Sequence, residues 1–233
     1  MRIRKIITKT LSRGESNRLR RRLFRHHLPL FLLSAVSVVA LYFTRPYTDV
    51  LTRASFATAY PALVLLAATL LIGPWNLLRK LHNPPSSDLR RDIGIWAGIL
   101  GVLHTAIGQN VHLRGKPWLY YVYAAKEHHT FPIRHDLFGL ANYTGATSAL
   151  MLILLLATSN DYSLRALGTQ GWKQLQRWNY AVFALAAIHS LAYLAIEKQK
   201  SSFVVTVLIC LACAVVLQAA GIVRRRAAGV RKS

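Results

Sequence analysis

The chain has 233 residues, 53% of them hydrophobic, and carries 30 Lys and Arg against 8 Asp and Glu, a net charge of +22. In a soluble protein that excess would point to nucleic acid. Here the basic residues lie between long apolar runs and no nucleic-acid motif accompanies them, so the bilayer accounts for the charge and a nucleic-acid partner is excluded.

Residues 1–27 form a basic tail containing "RLRRRLFRHH" and a single acid, Glu15. The tail reads as a topology signal that also meets anionic membrane lipid; a cleaved leader is the weaker alternative. Six apolar runs follow, at 28–44, 57–78, 92–112, 137–158, 175–196 and 203–223, near the twenty or so residues that a helix needs to cross a bilayer. The expected fold is therefore an all-α integral membrane protein. It comprises a six-helix bundle over 28–223 and basic tails at 1–27 and 224–233. The tails and the loops 79–91 and 159–177 hold 22 of the basic residues; the segments 45–53, 113–136 and 197–202 hold 8. That bias places both termini in the cytosol and the chain in the cytoplasmic (inner) membrane as a multi-pass protein.

The third run, "IGIWAGILGVLHTAIG", contains His104, and the fifth, "YAVFALAAIHSLAYLA", contains His189. An ionisable side chain at membrane depth is costly and marks a functional site. Both runs point outward in the six-span layout. His104 lies 12 residues into its span and His189 14 into its own, which puts each about 20 Å from the inner boundary. Two imidazoles at one depth suit the two axial positions of a haem. The bland alternative is two polar residues bonded to neighbouring helices. Zinc would want more ligands, and no membrane carboxylates accompany the pair as in a di-iron bundle. Gly94, Gly98, Gly101 and Gly108 flank His104 and serve close helix packing as readily as a porphyrin face.

The outer loop carries His112, His128, His129 and His135, read as a solvated loop in preference to a metal site. Arg114 and Lys116 stand just past the third span, as partners for haem propionates or as interface anchors. Trp118, Tyr120, Tyr121 and Tyr123 fit the interfacial aromatic belt. Cys210 and Cys213 lie in an apolar run and read as small apolar residues. No Gly-rich phosphate loop follows a strand pattern, so the chain has no flavin or nicotinamide domain of its own.

The stretch "LRRDIGIWAGILGVLH" resembles the third helix of the ferric-reductase-like transmembrane domain family. "TGATSALMLILLLATS" and "LRALGTQGWKQLQRWNYAVFALAAIH" resemble its fourth and fifth helices. Trp172, Leu175, Arg177 and Tyr180, followed by His189, carry the most specific part of the pattern. Within the family, the chain resembles the haem-binding membrane subunits of the periplasmic methionine-sulfoxide reductase system. The resemblance covers 89–196. It implies haem b between His104 and His189, and an oxidoreductase electron-transfer subunit. Electrons would come from a cytosolic or quinol donor, by way of FMN or quinone, and go to an acceptor outside the membrane (ferric iron or a partner oxidoreductase). The family's inner ligand positions fall on Arg90 and Gln176, where this chain reads Leu175-Gln176-Arg177. A neutral amide is a poor iron ligand beside imidazole, so one haem is expected and the inner site is expected to be empty. A haem-free assembly subunit, or a transporter using the two histidines, are the alternatives.

Overall fold

The computed structural model describes residues 16–44, 47–79, 87–113, 116–198 and 201–230. These residues are mostly helical, and among them the only β pairing is one bridge, between Val122 and Ile133. The helices are α1 (Ser16–Phe43), α2 (Val50–Arg79), α3 (Ser87–Gly108), α4 (Leu137–Ala157), α5 (Asp161–Gln176), α6 (Asn179–Ile196) and α7 (Ser201–Val230).

Among the described residues, five stretches are long and apolar enough to cross a bilayer: Ser16–Phe43, Val50–Arg79, Leu137–Ala157, Asp161–Ile196 and Val204–Arg224. The chain is a multi-pass membrane protein. The expected third span is a helix packed inside the bundle, but α3 opens with Asp88, Arg90, Arg91 and Asp92 and so falls short of that apolar standard. Two further boundaries differ from expectation. Residues 16–27 of the basic tail extend α1, and most of the expected loop 159–177 is helix α5. Asn160 caps α5 by accepting from the Ser163 amide at 2.8 Å. Gly168 then breaks it at φ 67°, a conformation that suits glycine. Residues 1–15, 80–86 and 231–233 of the expected tails and loop lie outside the described residues.

Helix α2 is the hub, packed against α1, α3 and α7, while α4 packs on α3 and α6. Leu63, Leu66 and Leu70 of α2 meet Ala97 and Leu100 of α3 and Val207 of α7 in one apolar core. Pro74 sits within α2 and removes the amide that would bond the Leu70 carbonyl. Gln218 of α7 donates its Nε2–H to that carbonyl at 2.7 Å. Backbone groups at membrane depth must be satisfied inside the protein, so this bond ties α7 to α2 at the proline. Leu32, Leu33 and Val36 of α1 and Leu150 and Leu154 of α4 are exposed, as side chains facing lipid are.

One end of the bundle is closed by charge. Asp92 of α3 is fully buried and takes both arms of the Arg22 guanidinium, together with His26 Nδ1 at 2.7 Å and His27 Nε2 at 3.3 Å. Consecutive histidines reach one carboxylate because α1 widens into a π-helical turn over Leu23–His27, just before Pro29. Around this centre, Arg18 bonds Asp88 at 2.7 Å and Arg91 bonds Asp161 at 2.6 Å. The Arg18 guanidinium beside Asp88 holds that carboxyl below the usual carboxylate range. Helices α1, α3 and α5 are thereby locked together.

Removing one member of a buried ion pair leaves the other charged and unpaired. Asp92→Ala is expected to destabilise the protein by about 3–5 kcal/mol, read as a lower Tm in detergent. Replacing Arg22 and Asp92 together by apolar residues should recover much of the loss; equal losses in the single and double variants would show that the pair is not the lock.

Candidate functional site

The other end of the bundle opens into a cavity of about 1380 Å³, its opening included, walled by α2, α3, α4 and α6 with Val207 of α7. Its deep walls are Leu63, Leu66, Ala97, Gly101, Ala149 and Leu152. Its mouth is polar: Thr52, Gln109, His112, Asn142, Tyr193 and Glu197. Small residues on α3 and α4 make the space, and two glycines tighten the wall. A Cβ on Gly101 would stand 2.5 Å from Leu152 Cδ2, and one on Gly98 would stand 3.2 Å from Leu156 Cδ1. These glycines serve helix packing first.

His104 and His189 face each other across this cavity, with ring centroids 5.9 Å apart at an interplanar angle of 70°. Each is anchored from behind. His104 Nδ1 lies 3.0 Å from the Ser55 carbonyl and 3.3 Å from Ser55 Oγ; His189 Nδ1 lies 2.8 Å from the Ala141 carbonyl. A carbonyl oxygen only accepts, so in both rings Nδ1 carries the proton and the Nε2 lone pair is left for another partner. Metal-ligating histidines are held this way, through the nitrogen that does not bind the metal. A metal bound by two opposed imidazole nitrogens at about 2 Å each puts the ring centroids roughly 6 Å apart, which is the spacing seen.

Several of these contributors escaped the sequence reading. Ser55 lies on α2 and Ala141 on α4, and each acts through its backbone. Gly145 gives His189 its seat: a Cβ there would stand 2.5 Å from Nδ1 and 2.8 Å from Cε1 of the imidazole. The stripe Ala141, Gly145, Ala149, of small residues four apart on one helix face, is the signal that would have found it. Tyr193 packs 5.0 Å from His189 and donates its hydroxyl to Asn142 Oδ1 at 2.9 Å.

The remaining expected residues are distributed as follows. Lys116 is exposed and does not line the cavity; Arg114 lies outside the described residues. Arg90 runs along α2, with its Nη1 3.8 Å from where a Cβ on Gly73 would be. Gln176 ends α5, and its Nε2 is buried with no hydrogen-bond partner among the described residues. Neither lines the cavity that holds the two histidines. In the outer loop, His129 stacks on Tyr123 at 3.6 Å and Arg134 lies over the same ring at 4.8 Å. Tyr121 accepts from Gln109 Nε2 at 2.9 Å, and burial pushes its phenol above the ordinary value. Among the described residues, no group of three or more His, Cys, Asp or Glu is placed to hold a metal ion.

No family model matches the chain. Curated relatives named protein-methionine-sulfoxide reductase heme-binding subunit MsrQ, from Yersinia pseudotuberculosis and Yersinia pestis, are 32% identical to it over 142 residues, or 58% of this chain. The chain is similar to the MsrQ subunits. The match spans 59% and 58% of the length of those two MsrQ relatives.

The close seat at residue 145 is directly testable. Gly145→Ala must displace the His189 ring or part α4 from α6. Overpacking of this kind costs about 1–3 kcal/mol. A lower Tm and shifted His189 imidazole resonances are expected; a variant with both unchanged would mean that the ring does not rest against this helix.

Proposed function

We propose that the cavity holds one haem b, with His104 and His189 as its axial ligands through Nε2, and that the chain is an electron-transfer subunit of a membrane oxidoreductase. The observation that carries this reading is the pair of facing imidazoles, each bonded through Nδ1 to a backbone carbonyl and each lining the same cavity. The cavity suits a flat amphipathic guest. Leu63, Leu66, Ala97 and Leu152 would receive its apolar edge, and Thr52, Gln109 and Tyr193 would receive its polar edge at the mouth. Covalent attachment would need a C-x-x-C-H motif, and Cys210-x-x-Cys213 is followed by Ala214 and lies outside the cavity lining. The group would therefore be held by ligation and packing alone.

The residues at the inner positions favour one haem and no second. Arg90 and Gln176 offer no imidazole, and nearby Asn179 Nδ2 is already engaged by Thr69 Oγ1 at 2.6 Å.

When bound, haem supplies a one-electron couple whose iron has no open coordination position, which favours outer-sphere transfer over oxygen activation. The residues do the rest. His104 and His189 would hold and orient the group; Ser55 and Ala141 fix the tautomers of the histidines. The deep apolar wall excludes water, and the mouth gives contact with the outer side. Six spans with both termini cytosolic, in the inner membrane, agree with the basic-residue bias. On this topology α3 is the third span, its charged first turn satisfied by Arg18, Arg22 and Asp161.

The name of the relatives favours a protein-methionine-sulfoxide reductase as the acceptor, and the proposed topology puts the cavity mouth on the outer side. A cytosolic or quinol donor, with FMN or quinone as intermediary, is the matching source, because the site lies far from the inner face. Ferric iron is the alternative acceptor.

Full-length protein from haem-replete cells is expected to show sharp low-spin bands on dithionite reduction. Pyridine haemochrome should give about one haem per chain. His104→Ala and His189→Ala should each abolish haem retention. A colourless wild type would leave the assembly or transport roles. A ratio near two would place a second haem in the Arg90/Gln176 region, and full low-spin haem in either variant would dissolve the pairing.

A further inference from the structure

The mouth of the cavity carries an arrangement that ligation does not use. Apart from the two proposed ligands and three tyrosines, the ionisable residues among those lining the cavity are His112 and Glu197. They stand together, His112 Nε2 being 3.7 Å from Glu197 Oε1. The His112 ring stacks on Tyr193, at 5.9 Å and 14°, and Tyr193 in turn packs against His189 at 5.0 Å.

The position of His112 is built. Tyr120, 1% exposed, accepts the His112 amide hydrogen at 2.9 Å and donates to the Gly108 carbonyl at 3.1 Å, which pins the chain as it leaves α3. Phe138 closes the other side of the ring at 5.9 Å. Glu197 ends α6, and Tyr47 donates to its Oε2 at 3.4 Å. The side chains of His112 and Glu197 are 37% and 27% exposed, so the pair touches the solvent at the mouth as well as the cavity.

We propose that the His112–Glu197 pair is a redox-linked proton site: His112 takes a proton from the outer solution when the haem site gains an electron and returns it when the electron leaves. The inference rests on the haem reading above. An electron entering a cavity with apolar walls adds one negative charge where the effective dielectric is low, and a nearby group that can become positive lowers that cost. The two ligands cannot respond, because each Nδ1 already bears its proton and each Nε2 is committed. Tyr47, Tyr60 and Tyr193 are neutral acids near pH 7 and have no proton to gain. Imidazole is the side chain whose charge changes between about pH 5 and 8. The groups facing His112 are Tyr193 and Glu197 from α6, Phe138 from α4 and Tyr120 from the outer turn. Of these, Glu197 brings a carboxylate to within 3.7 Å of the imidazole. The balance is one electron in from the donor and one proton in from the outer solution, both released on reoxidation.

The test is an optical redox titration of the full chain in detergent or lipid nanodiscs across about pH 5 to 8. Because the reduced site favours the protonated imidazole, the midpoint should fall as pH rises, by at most about 59 mV per unit for one electron and one proton. His112→Gln should keep the low-spin spectrum and lose most of that slope. Glu197→Gln removes the anion beside the imidazole, so its sloping region should move to lower pH; this variant tests the pair even if His112→Gln fails to retain haem. A coloured wild type with a flat profile overturns the proton site and leaves the haem reading intact. So does a His112→Gln protein with an unchanged slope, or a Glu197→Gln protein whose sloping region stays in place. A colourless wild type overturns both readings.

Discussion

The structure depends on where two Nδ1–H groups end. A buried imidazole with an unsatisfied N–H would carry a desolvation penalty that the bundle has no other means to offset. Helices α2 and α4 each offer a backbone carbonyl to one ring. Such a carbonyl is normally taken by its own helix, and sharing it with a side chain is one of the few polar interactions available at membrane depth. The consequence is directional. Once Nδ1 is engaged behind each ring, Nε2 of both is left without that partner, and both rings line the same cavity. The cavity, the small residues of α3 and α4, and the polar mouth follow from that constraint.

The rest of the bundle keeps those walls in register. Proline in α2 would weaken the hub helix, yet Gln218 of α7 occupies the carbonyl that Pro74 leaves free, so a local defect becomes an interhelical tie. Gly145 shows the converse: a residue with no side chain is used because a ring must occupy its volume. Both devices place side-chain chemistry at membrane depth without leaving a backbone group unpaired.

Much of this was legible in the sequence, and the limits have physical causes. Two histidines in apolar runs of similar length gave the matching depth, because rise per residue is fixed in a helix. Their facing each other was not legible, since periodicity within one helix carries no information about rotation relative to another. Residues 159–177 read as a loop because their composition is polar, whereas a surface helix tolerates polarity on one side. The charges that open α3 looked like a loop end, yet they are satisfied by Arg18 and Arg22 seventy residues earlier, partners that no local window contains. Ser55 acts through its backbone, so residue chemistry gave no sign of it, and Ala141 and Gly145 show in the sequence only as part of a stripe of small residues. The basic residue at 116, chosen for its charge, is not among the cavity's lining residues; the groups that line the mouth are neutral polar side chains and a His–Glu pair.

The two ends of the bundle divide the physical tasks. At one, Asp92 is fully buried against Arg22 and two histidines, which ties α1 to α3, and the Arg91–Asp161 pair extends the tie to α5. At the other, the walls are held apart and the titratable pair is wet. A charge introduced at the open end can be answered by a proton from solution; the same charge at the closed end would have to be borne by an already balanced ion pair, at a cost that burial makes large. That asymmetry makes the open end the place where a change of charge costs least.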